Sequence, residues 1–120
     1  MTELIPGLPE HIVAASCRRG LSGEEFDRVL RPAMETALDI YERIDVVLVL
    51  DEQPGDPSSR ALWDDGRLGM SDLRKFRRLA LVSDLDWVRT LVSTFGFFAP
   101  CSLKRFGIDE LDAALRWIQK

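Results

Sequence analysis

The spacing of apolar residues changes period several times along this chain, and each change marks an element. Glu3 to Ile5 reads as a short extended piece, closed by the turn signal Pro6-Gly7. Glu10 to Arg18 reads as a strand ending near Gly20. Ser22-Gly23-Glu24-Glu25 then has the form of a capping box, in which Ser22 accepts the third helical amide and Glu25 reaches back. Behind it, Phe26, Val29, Leu30, Ala33, Met34, Ala37, Leu38 and Tyr41 recur at helical period. Pro32 lies inside that pattern and has no N–H to give, so a kink or break is expected near Leu30.

Ile44 to Leu50 (IDVVLVL) shows almost no polar alternation. Such a run predicts a strand covered on both faces, as in a parallel sheet. Pro54, Gly55 and Pro57 break the following segment, Glu52 to Ser59, into a loop. Ser59 to Phe76 has helical spacing, weakened by Gly66 and Gly69. Leu79 to Val82 predicts another buried strand. Asp84 or Asp86 is placed to cap a helix from Trp87 to about Phe95. Leu103 to Phe106 alternates with Lys104 and Arg105, as an edge strand does. Asp109 to Asp112 opens a last helix that buries Leu111, Ala114, Leu115 and Ile118. The order β-β-α-β-α-β-α-β-α predicts a mostly parallel sheet of four or five strands, with about four helices in right-handed crossovers.

Composition narrows the chemistry. The 120 residues are 46% apolar and 30% charged, which predicts one globular domain over residues 1–120. A single histidine and two cysteines without CxxC spacing supply neither a zinc site nor a disulfide framework. Cys17 and Cys101 are expected to be reduced, partly buried thiols. A net charge of −4 argues against nucleic acid as a partner. The N-terminus has no basic-then-apolar leader, and no run approaches the roughly 18 apolar residues of a membrane span, so a cytoplasmic location is expected.

The ordered set Ile5-Pro6-Gly7-Leu8-Pro9, Val47 to Asp51, Ala61 to Asp65, Phe76 to Asp84, Trp87-Val88-Arg89 and Phe95 to Pro100 resembles the SpoIIAA-like family, small relatives of the STAS domain. The resemblance covers nearly the whole chain. It implies a βα superhelix, similar also to the CRAL-TRIO fold. It further implies a non-enzymatic bacterial protein, without a cofactor, that carries a nonpolar small molecule or lipid beneath mobile helices or touches membranes.

The residues themselves supply candidates for such a site. The helices expected at 59–76 and 87–98 carry more apolar width than one seam against a sheet requires. Leu62, Trp63, Met70, Leu73, Trp87, Leu91, Phe95, Phe97 and Phe98 therefore stand either as core, as the lining of a cavity under a lid, or as a surface for a protein partner or bilayer. The segment Trp87 to Phe98 alone holds four of the nine Trp and Phe residues.

Ser58 and Ser59 stand where phospho-switched STAS relatives carry their serine or threonine, though Asp56-Pro57-Ser58-Ser59-Arg60 departs from the compact motif of those proteins. A protein-interaction module switched at Ser58/Ser59 is thus the alternative function, with an N-cap serine as the plain reading. Asp51, Ser83 and Lys104 imitate a response-regulator receiver, but Ser16-Cys17-Arg18-Arg19 lacks its acidic pair. Asp51, Glu52, Asp56, Asp64, Asp65, Asp84 and Asp86 follow strands without metal-ligand spacing, so no metal site is assigned. The basic run Arg74-Lys75-Phe76-Arg77-Arg78 suits a helix C-terminus, or an anionic head group. His11 has no Cys, Asp or Ser beside it and reads as a surface or structural histidine.

Overall fold

A computed structural model of the chain describes residues 2–51, 58–64 and 69–120. Five strands form one sheet: β1 (Thr2–Leu4), β2 (Ile12–Arg18), β3 (Ile44–Asp51), β4 (Phe76–Val82) and β5 (Ser102–Phe106). Their spatial order is their order along the chain. β1 runs antiparallel to β2, and every later pair is parallel. The helical segments are α1 (Gly23–Glu25), a π-helical turn (Phe26–Leu30), α2 (Arg31–Leu38), α3 (Ser58–Asp64), α4 (Met70–Leu73), α5 (Asp86–Phe95) and α6 (Leu111–Ile118).

This order decides where the helices go. When each parallel strand is laid beside its predecessor by a right-handed crossover, the crossovers all fall on one face. Val13, Ala15, Val46, Leu48, Leu79 and Leu81 point to that face and pack against Phe26, Leu30, Met34, Leu62, Leu73 and Val88 of the crossovers. Ile12, Ala14, Val47, Val49, Ala80 and Val82 point the other way, where α6 covers them with Ala114 and Ile118. Both faces of β3 are thus buried, which is why its sequence shows no alternation. Its residues from Ile44 to Leu50 are all buried, Asp45 included.

Several expectations change. The break near Leu30 takes the form of the π-turn that precedes Pro32. The expected helix over 59–76 is interrupted: Gly69 is extended (φ −103°, ψ −174°), α4 is a single turn, and Phe76 already belongs to β4. The cause is tertiary. Ile44 N–H donates to the Lys75 carbonyl and Phe76 pairs with Ile44, so the ladder with β3 claims residues whose local spacing reads as helix. Gly66, Arg67 and Asp65 lie outside the described residues, as do Glu52, Asp56 and most of the loop expected over 52–59. Neither Asp84 nor Asp86 is the N-cap of α5. Leu85 holds that position, its N–H donating to Ser83 Oγ at 3.2 Å, while Asp84 accepts the N–H of Ile108. The Ser22 cap is present, with Oγ accepting Glu25 N–H at 3.2 Å.

The basic run is strand, not helix end, at Arg77 and Arg78. Both nevertheless reach a helix C-terminus, that of α6. Arg78 donates to the Trp117 carbonyl at 2.6 Å, and Arg77 to that of Ile118 at 3.4 Å. The favourable charge–dipole arrangement is thus made in space rather than along the sequence.

Candidate ligand cleft

Two helices on the crossover face leave a cleft between them. In α3, Ser59 and Leu62 turn inward and are buried, while Arg60, Trp63 and Asp64 stand one helical step around. In α5, Val88 is fully buried toward the sheet. Trp87, Leu91 and Phe95, four residues apart, form the next stripe, with Thr90 and Thr94 beside it. These residues enclose a cleft of about 340 Å³, at the small end of ligand-pocket sizes.

The lining is mixed. Two indoles, a phenyl ring and a leucine supply apolar walls. Arg60 Nε lies 3.6 Å from Asp64 Oδ2 at the rim, and both side chains are mostly exposed, so the pair contributes little to stability. Thr94 Oγ1 donates to the Thr90 carbonyl within α5. Trp87 Nε1 has no solvent contact and no acceptor among the described residues. A buried donor left unpaired is costly, so an acceptor brought to this indole would be favoured.

The site residues expected from sequence separate into three groups. Trp63, Trp87, Leu91 and Phe95 come together in the cleft. Leu62 and Leu73 are core residues, 2% and 3% exposed. Met70, Phe97 and Phe98 are exposed outside it, the two phenylalanines at 90% and 77% with their rings packed edge to face. Arg60, Thr90 and Thr94 were missed as site residues. Their signal was one of spacing: each stands three or four positions from a lining aromatic or leucine.

Ser59 is 1% exposed, and its hydroxyl accepts the Leu21 N–H at 2.8 Å, tying the start of α3 to the β2–α1 turn. The side chain of Ser58 lies outside the described residues. The receiver-like trio is not assembled. Ser83 is buried under its own turn, and Lys104 Nζ lies over the Phe106 and Trp117 rings on the α6 face. Among the described residues no group of three or more His, Cys, Asp or Glu is arranged to hold a metal. Cys17 and Cys101 are buried thiols, and burial pushes that of Cys101 up, with Arg43 partly opposing.

Sequence reasoning left His11 alone, but the fold gives it a partner. Its Nε2 lies 3.6 Å from Asp45 Oδ2, a buried carboxylate that also takes Arg77 at 2.8 Å. Asp45 was passed over because it sits inside an apolar strand.

A single sheet of sequentially ordered parallel strands, opened by an antiparallel β1, defines the class of α/β fold to which this protein belongs. A family model described as SpoIIAA-like matches residues 12–119, and the chain belongs to that family. It is similar in structure to an uncharacterized protein of the DUF3478 family from Shewanella loihica PV-4, with a SpoIIAA-like fold, known from a crystal structure at 2.25 Å resolution. That likeness has a TM-score of 0.67 at 23% identity and covers 98% of this chain and 93% of the other. No protein of curated function matches the chain. No helix among the described residues is long and apolar enough to cross a membrane.

Proposed function

We propose that this protein is a non-enzymatic carrier for a nonpolar small molecule or lipid, held in the cleft between α3 and α5. The lining of that cleft carries the reading. Trp63, Trp87, Leu91 and Phe95 offer a ligand apolar contact, and Arg60, Asp64 and the two threonines suit one polar end. Burying on the order of 200 Å² of apolar ligand surface would contribute about 5 kcal/mol before ordering costs. Phe97 and Phe98, exposed just beyond α5, extend the proposal to peripheral contact with a bilayer from which such a ligand is taken.

Native mass spectrometry of protein purified from bacterial cells is the test. The expected result is a co-purified lipid-sized mass that is lost in Trp63→Arg. A clean apo mass, together with no thermal shift on adding palmitate or phosphatidylglycerol, would overturn the reading. For the bilayer contact, the Phe97→Ser/Phe98→Ser variant should float less with lipid vesicles than the parent. Equal flotation would remove that part.

A second reading is the STAS-type interaction module. The bond between Ser59 and Leu21 gives it a joint to act on: the buried hydroxyl is reached only when the start of α3 opens, and a phosphate added there would hold it open. Ser59→Asp should then change binding to a protein partner. Retention of every partner by both Ser58→Asp and Ser59→Asp would exclude the switch.

A further inference from the structure

The cleft between α3 and α5 can be sized in two independent ways. Its volume is about 340 Å³. At about 30 Å³ for each water-sized group, and a methylene is close to that size, there is room for about eleven such groups. Its length follows from α5. The apolar stripe on that helix runs from Trp87 to Phe95. With a rise of about 1.5 Å per residue, the two ends of the stripe stand about 12 Å apart. An extended chain advances roughly 1.2 Å per bond, as a peptide backbone does with three bonds in about 3.3–3.6 Å. Volume and length therefore agree on a linear tail of about ten carbons.

The lining also divides tail from head. Trp63, Trp87, Leu91 and Phe95 are half-buried and pack against the core, so they form an apolar floor. Among the described residues of the lining only Arg60 and Asp64 are charged, and their side chains are 62% and 67% exposed. They answer each other across one helical turn, so neither charge requires a partner from the ligand. Thr94 spends its hydroxyl proton on the Thr90 carbonyl. A polar head is therefore met in water at the rim, and the tail alone is enclosed. A second tail of the same length would need about twice the volume.

Resting on the carrier reading of this cleft, we infer that its ligand class is a single-chain amphiphile with an enclosed tail of about ten carbons and a head left at the rim beside Arg60 and Asp64. Longer tails and second chains still bind, but their excess stays in water and adds no affinity.

The test is titration calorimetry of the full chain with saturated carboxylates from hexanoate to palmitate, each below its micelle concentration. The Kd should fall by about two- to fourfold for each added methylene up to about ten to twelve carbons, and then level off. Didecanoyl phosphatidylglycerol should bind no more tightly than its one-chain lyso form. The plateau should also move with the floor of the cleft. Leu91→Ala should shift it to longer chains, by about the three carbons removed, and Leu91→Trp should shift it to shorter ones, each with an unchanged circular dichroism spectrum. Affinity that keeps rising through palmitate, a gain from the second chain, or a plateau that neither Leu91 variant moves would overturn the single-chain assignment and leave the carrier role standing. No binding by any member of the series, or a series unchanged in Trp63→Arg, would overturn both.

Discussion

Removing the Ser59 hydroxyl should cost far more than its position at a helix start suggests. An ordinary N-cap serine replaced by alanine loses about 1 kcal/mol. Here the hydroxyl is 1% exposed and serves a backbone amide 38 positions away, that of the buried Leu21. In Ser59→Ala the buried Leu21 N–H loses the hydroxyl acceptor that the fold gives it. A buried donor stranded in this way costs about 1–3 kcal/mol. With a urea m-value of about 1.5 kcal/mol/M, a loss near 2 kcal/mol lowers the unfolding midpoint by about 1.3 M. Equilibrium urea unfolding, followed by tryptophan fluorescence, measures this directly, with Ser22→Ala as the half-buried cap for comparison. Ser59→Ala should fall by more than Ser22→Ala at an unchanged m-value. A loss below about 0.5 kcal/mol would mean that Leu21 finds another acceptor, and that α3 is not held by this bond.

Other perturbations test other joints of the fold. Gly96→Ala should destabilise by about 1 kcal/mol, against the usual gain for such a change in a helix, because the added Cβ would crowd the Val92 carbonyl oxygen; thermal unfolding reads the sign. Arg78→Met gives up the 2.6 Å bond to the Trp117 carbonyl and the stacking on that indole. A loss of about 2 kcal/mol is expected, with hydrogen exchange rising first in α6. In a Cys17→Ala background, Cys101 should react with a thiol reagent more slowly in the folded protein than in urea at pH 9. Its thiol is raised from 9.0 by burial, so the folded state keeps the proton longer and loses stability as pH climbs above 9. Equal reaction rates in the two states would contradict this.

Much of the fold was legible because its signals are local. The unbroken apolar run at Ile44 announces a doubly covered strand, and Ser22 and Pro32 mark a helix start and its defect from neighbouring residues alone. The α5 side of the cleft was legible as well, since Trp87, Leu91 and Phe95 share a stripe in any helix. The α3 side was read only in part. The same helical spacing set Trp63 in line with Met70, and Leu62 in line with Leu73 and Phe76, yet the fold sends Met70 to solvent, Leu73 to the core and Phe76 into a strand.

What the sequence by itself determined is therefore periodicity, caps, breaks and composition, each set within a few residues along the chain. The tertiary structure decided everything that depends on residues distant in sequence. It took Phe76 from the expected helix and began β4 three residues before Leu79, because β3 offers a ladder that no local pattern records. It gave His11 and Arg77 a common buried carboxylate at Asp45, and gave Ser59 an amide to hold. Apolar content alone could not foretell whether it would fill the core or line a cavity. That depends on how far apart two helices stand on a sheet, which is fixed by packing across the fold.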